Sequence, residues 1–289
     1  MKRESTSTSN IFTKKIFSEL LKRGTNREYD YVVRRYIKSP EEKTNGEIIS
    51  EIYAYMRTSY RNEYFYLNTL LNKLLAGIHN VNTTTALSQV RVANHVADFV
   101  MINGEGHVYE IKSELDNLER LNEQLVDYFK VFSFVSVLSS EHNRNHVEHQ
   151  LKELGSIGES VGIYVLSDKD TIFNRKISRA PKKNDDNLDH FYIFVMLRKK
   201  EYENILIDYF GTLPKVPPAF YFRTCFDMFR NIPILHAQKM AMRELKKRNT
   251  ISKEVFNRVP LELKSVIYFH GLSKQTNMLN DFLEQKFGG

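Results

Sequence analysis

The chain has 289 residues, 42% of them hydrophobic, which is enough to bury a substantial core. Its single cysteine, Cys225, excludes an internal disulfide framework and a cysteine-rich zinc site, so we expect a reducing, cytoplasmic environment. No run approaches the roughly 18 apolar residues that a membrane-spanning helix needs. The basic N-terminus lacks an apolar core, so we expect a flexible tail there and not a secretory signal.

Charge is unevenly distributed along a chain whose net charge is +7. Residues 1–40 carry ten Lys and Arg against four Asp and Glu, and residues 191–289 carry sixteen against nine, which leaves the middle acidic. An acidic middle between basic flanks is typical of a metal-binding centre surrounded by polyanion-binding surfaces. Ordinary variation of solvated charge explains the same distribution equally well, so charge alone only supports this interpretation.

The first third of the chain has helical periodicity. Apolar spacing predicts helices at 11–38 (broken near Gly24), 46–57 and 61–76 (closed by Gly77). Glu63 lies four residues before Leu67, so we expect it to extend the buried stripe of the third helix by one turn. A buried carboxylate needs a partner, and either Arg57 or Arg61 is an ordinary structural one.

The next stretch, 92–113, predicts a β-hairpin that carries charge inside apolar strands. Asp98 lies on the first strand, and Glu110 and Lys112 share one face of the second. An odd-numbered loop, such as Asn103 to Glu105 with its glycine in a left-handed conformation, places Asp98 opposite Glu110. A two-residue turn without a bulge would send the two acids to opposite faces.

A helix at 116–130 should follow the hairpin. Asp116 and Glu119 have the spacing of a capping box, and Gln124 and Tyr128 border its apolar face one turn apart. Two carboxylates on adjacent strands are hard oxygen ligands suited to Mg²⁺ or Mn²⁺, and Lys112 beside them can hold a water or a phosphate oxygen. Glu63 is a further candidate ligand, and Gln124 and Tyr128 can position the substrate backbone or the metal-bound waters.

The remaining elements complete an α/β fold, a mixed sheet with helices on its faces. We expect an irregular segment at 80–91, strands at 131–138, 161–166 and 171–179, and a polar helix at 142–154. After residue 188 the spacing becomes helical, with predicted helices at 190–210, 219–230, 233–249, 252–258 and 260–270. The predicted segments are a basic tail with N-terminal helices (1–45), a central core (46–188) and a helical C-terminal region (189–289).

The conjunction of Asp98, Glu110-Ile111-Lys112 and Gln124-x-x-x-Tyr128 resembles the PD-(D/E)xK nuclease superfamily. The stretch ADFVMINGEGHVYEIKSELDNLERLNEQLVDYFKVF is similar to the sce7726 family within it. The resemblance covers about 61–166 and implies a restriction-endonuclease-like fold. It also implies that Asp98, Glu110 and Glu63 act at a metal, that Lys112 is the catalytic lysine, and that Gln124 and Tyr128 lie on the substrate side. Two positions depart from the patterns: Ala97 stands in place of the proline, and Val96 in place of an arginine.

The favoured function is therefore a Mg²⁺- or Mn²⁺-dependent nuclease that acts on nucleic acid, with DNA as the expected substrate and basic flanks holding the backbone. One alternative is a catalytically silent nucleic-acid-binding or regulatory protein with the same fold, whose binding should fall steeply with salt. A third possibility is a protein-interaction or self-association role for the C-terminal helical region, which a large exposed apolar patch would favour. Strandedness, sequence preference and exo- or endonucleolytic action are not encoded in these patterns.

Overall fold

A computed structural model of the chain describes residues 10–249 and 251–289, which divide into two compact units. The boundaries fall between Asn82 and Thr83 and between Thr250 and Ile251, so the N-terminal and C-terminal parts of the chain together form the first unit. The predicted division into 1–45, 46–188 and 189–289 stays a prediction, and nearly all of the predicted N-terminal tail, residues 1–9, lies outside the described residues. No described helix has the length and apolar character needed to cross a bilayer.

Among the described residues of the first unit, the N-terminal α-helices are α1 (Lys14–Arg23), α2 (Arg27–Tyr36), α3 (Asn45–Ser59) and α4 (Glu63–Leu71). Gly24 ends α1 in a left-handed conformation with a φ of 73°, so the predicted break at this glycine is confirmed. The predicted stop at Gly77 is wrong, because α4 continues as a π-helical segment, Asn72–Ile78, that contains this glycine. The amide of His79 still donates to the carbonyl of Leu74 at 2.7 Å, which ends the segment two residues later than predicted.

The second unit is built on a five-stranded mixed sheet, which confirms the predicted α/β class. Its strands are β1 (Thr85–Val92), β2 (His95–Asn103), β3 (Glu105–Lys112), β4 (Phe134–Ser140) and β5 (Gly162–Leu166), in the spatial order β1-β2-β3-β4-β5. The first three strands are antiparallel neighbours, and β3, β4 and β5 are parallel. Parallel strands need crossover connections, and helical segments between β3, β4 and β5 supply them.

Two sequence-based expectations about this sheet are wrong. The segment predicted to be irregular, 80–91, contains most of β1, whose pattern is obscured by polar residues and by Gln89 at a φ of 53°. The strand predicted at 171–179 does not form. Turns interrupt this segment, and its backbone pairs with the sheet through an isolated bridge between Ile163 and Arg179.

The hairpin β2–β3 has the odd-numbered loop that a shared metal site at Asp98 and Glu110 requires. Phe99 pairs with Tyr109 and Asn103 pairs with Glu105, so Gly104 alone occupies the tip with a φ of 81°. The same register, continued by one residue, places Asp98 next to Glu110 and on the same face of the sheet. A glycine adopts a positive φ without the steric cost that a Cβ atom brings.

Helices cover the sheet and fill the second unit. They are α5 (Leu121–Phe129), α6 (Arg144–Glu153), α7 (Ser156–Ser160), α8 (His190–Met196), α9 (Lys199–Phe210), α10 (Pro218–Phe229) and α11 (Ile234–Lys246). Buried residues of α5, such as Leu125 and Phe129, share one core with Val100, Val108 and Val137 of the sheet. This packing fixes α5 over the face that carries Asp98 and Glu110.

The predicted start of this helix at Asp116 is wrong. α5 begins five residues later, at Leu121, and Arg120 precedes it without a side-chain cap. The carboxylate of Asp116 instead accepts hydrogen bonds from the amide and the hydroxyl of Ser113, at 2.8 and 2.6 Å. These two bonds close a turn at the end of β3, which competes with helix initiation in the same residues.

Three helices return the chain to the first unit: α12 (Lys253–Arg258), α13 (Lys264–Phe269) and α14 (Thr276–Glu284). Asn68 of α4 joins them by donating to the carbonyl of Leu261 at 2.8 Å and accepting from the amide of Ser265 at 2.9 Å. The helical C-terminal region is confirmed as a run of helices, and its last part packs with the N-terminal helices.

Replacement of Gly104 by alanine should destabilise the hairpin. A Cβ atom at this position meets no atom within 4 Å, so the cost comes from the positive φ alone and should be about 1 kcal/mol. Gly104→Asn is the matched control, because asparagine tolerates this conformation better and should lose less. Urea unfolding followed by circular dichroism measures both variants. An alanine variant as stable as the wild type would contradict the observed register.

Candidate active site

A buried carboxylate lies at the centre of the sheet. Glu110 belongs to β3, the middle strand, and only 1% of it is exposed. The face on which it lies is otherwise lined by valines and covered by α5. An ionised carboxylate in such surroundings is stable only when hydrogen bonds or opposite charge compensate for the lost water.

Three side chains provide this compensation. The Nε2 of Gln124 donates to Oε1 of Glu110 at 2.6 Å, and the hydroxyl of Tyr128 donates to Oε2 at 2.7 Å. The Nζ of Lys112 lies 2.9 Å from Oε1 of Glu110 and donates to Oε1 of Gln124 at 3.0 Å. The predicted helix face with Gln124 and Tyr128 one turn apart therefore meets the predicted strand face. We call Asp98, Glu110, Lys112, Gln124 and Tyr128 the Glu110 cluster.

Asp98 completes the cluster from the neighbouring strand. Its side chain is half-buried, and Oδ2 accepts a hydrogen bond from the amide of Ile111 at 2.9 Å. The regular pairing of β2 with β3 ends at Phe99 and Tyr109, and the amide of Ile111 lies beyond it on β3. The Asp98 carboxylate therefore accepts from an amide that the β2 backbone does not pair. This contact holds Asp98 beside the residue that follows Glu110.

The pKa of Tyr128 reflects how close this side chain lies to Glu110 and Asp98. Burial raises the pKa of its phenol well above the ordinary value, and the charges of Glu110 and then Asp98 raise it further. The hydroxyl also lies 3.0 Å from the carbonyl oxygen of Val96, so two acceptors compete for one proton. Tyr128 therefore stays protonated and links β2 to β3 through a single hydroxyl.

A second buried network, which the sequence analysis did not identify, supports α5 from the adjoining turn. Nδ1 of His95 lies 2.7 Å from Oδ2 of Asp127, which also accepts from the amide of Asn94 at 3.2 Å, while Nζ of Lys130 lies 2.6 Å from Oδ1. Burial acts to raise the pKa of Asp127, but hydrogen bonds from Lys130, His95 and Asn94 outweigh it and hold that pKa below its ordinary value. The sequence feature that could have indicated this network is the acid directly before Tyr128, in the buried half of α5.

Glu63 does not have the environment predicted for it. It is the first residue of α4 in the first unit, where Asn62 caps the helix by accepting from the amide of Phe65 at 3.0 Å. The side chain is exposed, so the predicted inward orientation is wrong. Its position in the first helical turn explains this, because a carboxylate there is favoured by the helix dipole and by water. The other five predicted site residues all belong to the second unit.

The donor set of the cluster determines which metal it suits. Within the described part of the chain, no group of three or more His, Cys, Asp or Glu side chains is gathered closely enough to hold a metal ion. Zinc and calcium sites normally need such a group. Mg²⁺ and Mn²⁺ need less protein, because one or two carboxylates suffice when waters and substrate phosphate fill the remaining positions. Asp98 and Glu110 fit this last requirement, since each carboxylate oxygen has two lone pairs.

Comparison with protein-family models matches residues 56–267 to the family described as bacteriophage P4 protein cII. The match covers well over half of the chain and includes the whole sheet and every residue of the Glu110 cluster. No curated protein matches the chain, and no solved structure does. The family description concerns a phage protein and names no activity.

Removal of the lysine charge should destabilise the second unit. Lys112→Met leaves the Glu110 carboxylate buried without its counter-charge, and the expected loss in the free energy of unfolding is about 3 kcal/mol. Glu110→Gln combined with Lys112→Met should recover most of this loss, because no buried charge remains. Urea unfolding of the two single variants and the double variant gives the coupling energy. Additive losses would contradict the ion pair.

Proposed function

The chain belongs to the bacteriophage P4 protein cII family, and we propose that it is a metal-dependent nuclease that hydrolyses phosphodiester bonds in DNA. One observation carries the proposal: two carboxylates from neighbouring strands, Asp98 and Glu110, adjoin a lysine that is itself hydrogen-bonded within the same cluster. The proposal includes a restriction-endonuclease-like core within the mixed sheet, and it agrees with the resemblance of the same residues to PD-(D/E)xK nucleases.

Asp98 and Glu110 are the residues that would hold Mg²⁺ or Mn²⁺. The bound ion would supply a water of lowered pKa and would neutralise charge on the phosphate. Asp98 is half-buried and Glu110 is fully buried, so the pair offers one ligand toward solvent and one from the interior. Such a pair leaves room for substrate oxygens, which a closed cage of protein ligands would exclude.

Lys112 would hold the attacking water or a phosphate oxygen. Its ammonium group has three donors, of which Glu110 and Gln124 take two, so one remains for a water or substrate. Gln124 would position both neighbours, because its amide contacts Glu110 through Nε2 and Lys112 through Oε1. Tyr128 would fix the orientation of the Glu110 carboxylate through its hydrogen bond, and its buried ring would exclude water from that side of the carboxylate.

A specific observation also favours the alternative of a silent nucleic-acid-binding protein. Lys112, Gln124 and Tyr128 satisfy both oxygens of Glu110 without any metal. A network of this kind is stable by itself and could persist after turnover had been lost. The two functions differ in one observable, since only the nuclease cleaves DNA when Mg²⁺ or Mn²⁺ is added.

Glu110→Gln should abolish cleavage while it preserves the shape of the cluster. We expect the rate of DNA cleavage in Mg²⁺ or Mn²⁺ to fall at least about 100-fold, which corresponds to roughly 2.7 kcal/mol of transition-state stabilisation. Glu105→Gln is the matched control, because Glu105 lies on the same strand, is exposed and is outside the cluster. Cleavage of circular and linear DNA, in single-stranded and duplex form, measures both variants.

Two outcomes would contradict the nuclease. Metal-dependent cleavage that persists unchanged in Glu110→Gln would show that the cluster is not the catalytic site. DNA binding by the wild type without cleavage in either metal would instead favour the silent alternative, provided that the binding survives Glu110→Gln and falls steeply with salt.

A further inference from the structure

The Glu110 cluster includes Asp98 of β2, the strand next to an edge of the sheet. In the described part of the chain β1 is the terminal strand of the order β1-β2-β3-β4-β5, and β2 is the strand paired with it. Gln89 and Arg91 of β1 are exposed, and Val96 on β2 is 40% exposed. Gln89 also has a left-handed φ of 53°, and the regular β1–β2 pairing omits Gln89 and Asp98. A strained residue that is not glycine, next to a candidate site, is a feature often associated with function.

The strand register places Arg91 on the face of the cluster. Arg91 pairs directly with Val96, and cross-strand partners share a face of the sheet. Val96 and Asp98 are two residues apart on β2, so they share this face as well. The carbonyl of Val96 lies within hydrogen-bonding distance of the Tyr128 hydroxyl that contacts Glu110. Arg91 is therefore one strand spacing, about 4.8 Å, from a residue in direct contact with the cluster.

Arg120 lies beside the cluster on the helix side. It directly precedes α5 and is four residues before Gln124, so the two side chains lie on neighbouring positions of one helix face. Gln124 contacts both Glu110 and Lys112, so Arg120 lies about one helical turn from a residue that is hydrogen-bonded to Glu110. The Arg120 side chain is exposed. Arg91 and Arg120 thus adjoin the cluster from two different elements.

Within the part of the chain that the structure describes, the guanidinium groups of Arg91 and Arg120 have no protein partner. Among residues 10–249 and 251–289, none forms a hydrogen bond or an ion pair with the side chain of Arg91 or of Arg120. The cluster between them is acidic, because the two carboxylates of Asp98 and Glu110 outnumber the single ammonium of Lys112. A polyanion that approaches the two carboxylates of the cluster is repelled unless cationic side chains beside the cluster offset the repulsion.

We propose that Arg91 and Arg120 bind the phosphates that flank the scissile phosphodiester, so that the nucleic-acid strand crosses edge strand β1 and reaches the half-buried carboxylate of Asp98 beside Glu110. Arginine suits this role, because its planar guanidinium can donate two parallel hydrogen bonds to one phosphate. The proposal deepens the proposed function and rests on it for the position of the scissile bond. The net positive charge of the chain does not indicate which residues contact the phosphates, and this proposal names two of them.

Salt-dependent binding tests this assignment without any cleavage. A short fluorescent oligonucleotide, single-stranded in one series and duplex in the other, is titrated in EDTA with the wild type, Arg91→Gln, Arg120→Gln and the double variant. Each lost phosphate contact should reduce the slope of log K against log salt by about 0.7 for single strands or about 0.9 for duplex. The matched control is Arg223→Gln, an exposed arginine on α10 that should leave the slope unchanged.

The outcomes separate this proposal from the nuclease itself. Unchanged slopes in both arginine variants, with wild-type cleavage in Mg²⁺ or Mn²⁺, would overturn the phosphate contacts and leave the nuclease intact. Reduced slopes with no cleavage by the wild type would support the phosphate contacts and contradict the nuclease. An equal reduction in Arg223→Gln would overturn the assignment, because binding would then follow total charge. Failure of the wild type to bind either oligonucleotide would overturn it as well.

Discussion

The burial of one carboxylate, Glu110, constrains much of the second unit. A charge at the centre of a helix-covered sheet is costly unless several donors meet it at once. The donors come from β3 itself and from α5, so strand and helix must be held in one relative position. Apolar packing between α5 and the valines of the sheet provides that position. The hydrophobic core and the polar cluster therefore depend on each other.

Smaller features maintain this arrangement from both sides. Gly104 sets the register of the hairpin, which brings Asp98 onto the face of Glu110. The network of His95, Asp127 and Lys130 ties the turn before β2 to the end of α5. Tyr128 connects the two regions, because its hydroxyl reaches both the backbone of β2 and the side chain of Glu110. The result is an acidic pair whose two carboxylates are held by hydrogen bonds, an arrangement that the proposed metal-assisted phosphate chemistry would use.

Local sequence patterns predicted the centre of the site better than its surroundings. The hairpin and the position of Gln124 and Tyr128 one turn apart on the helix followed from period-two and period-four spacing around polar residues. The hydrogen bonds of these two side chains to Glu110 did not follow from that spacing. The start of α5 did not, because Asp116 has two competing uses, as a helix cap or as a turn acceptor, and Ser113 decides between them. β1 was missed because its polar composition and the unusual backbone at Gln89 hide the strand period.

Long-range features were beyond the reach of local patterns. The return of residues 251–289 to the N-terminal helices depends on contacts such as Asn68 with Leu261, nearly two hundred residues apart, which no spacing rule encodes. The exposure of Glu63 depends on a helix start at Asn62, one residue before it. The pairing of Arg91 with Val96 required the position of a strand that the sequence did not indicate.

A crystal structure with Mn²⁺ shows whether Asp98 and Glu110 share one metal ion. We expect one anomalous peak between Asp98 and Glu110, at about 2.1 Å from an oxygen of each carboxylate, with Gln124 and Tyr128 still hydrogen-bonded to Glu110. Asp98→Asn should weaken or remove the peak without altering the sheet. A wild-type structure in which Mn²⁺ binds elsewhere, or in which Glu110 keeps only Lys112, Gln124 and Tyr128 as partners at saturating Mn²⁺, would contradict the metal site.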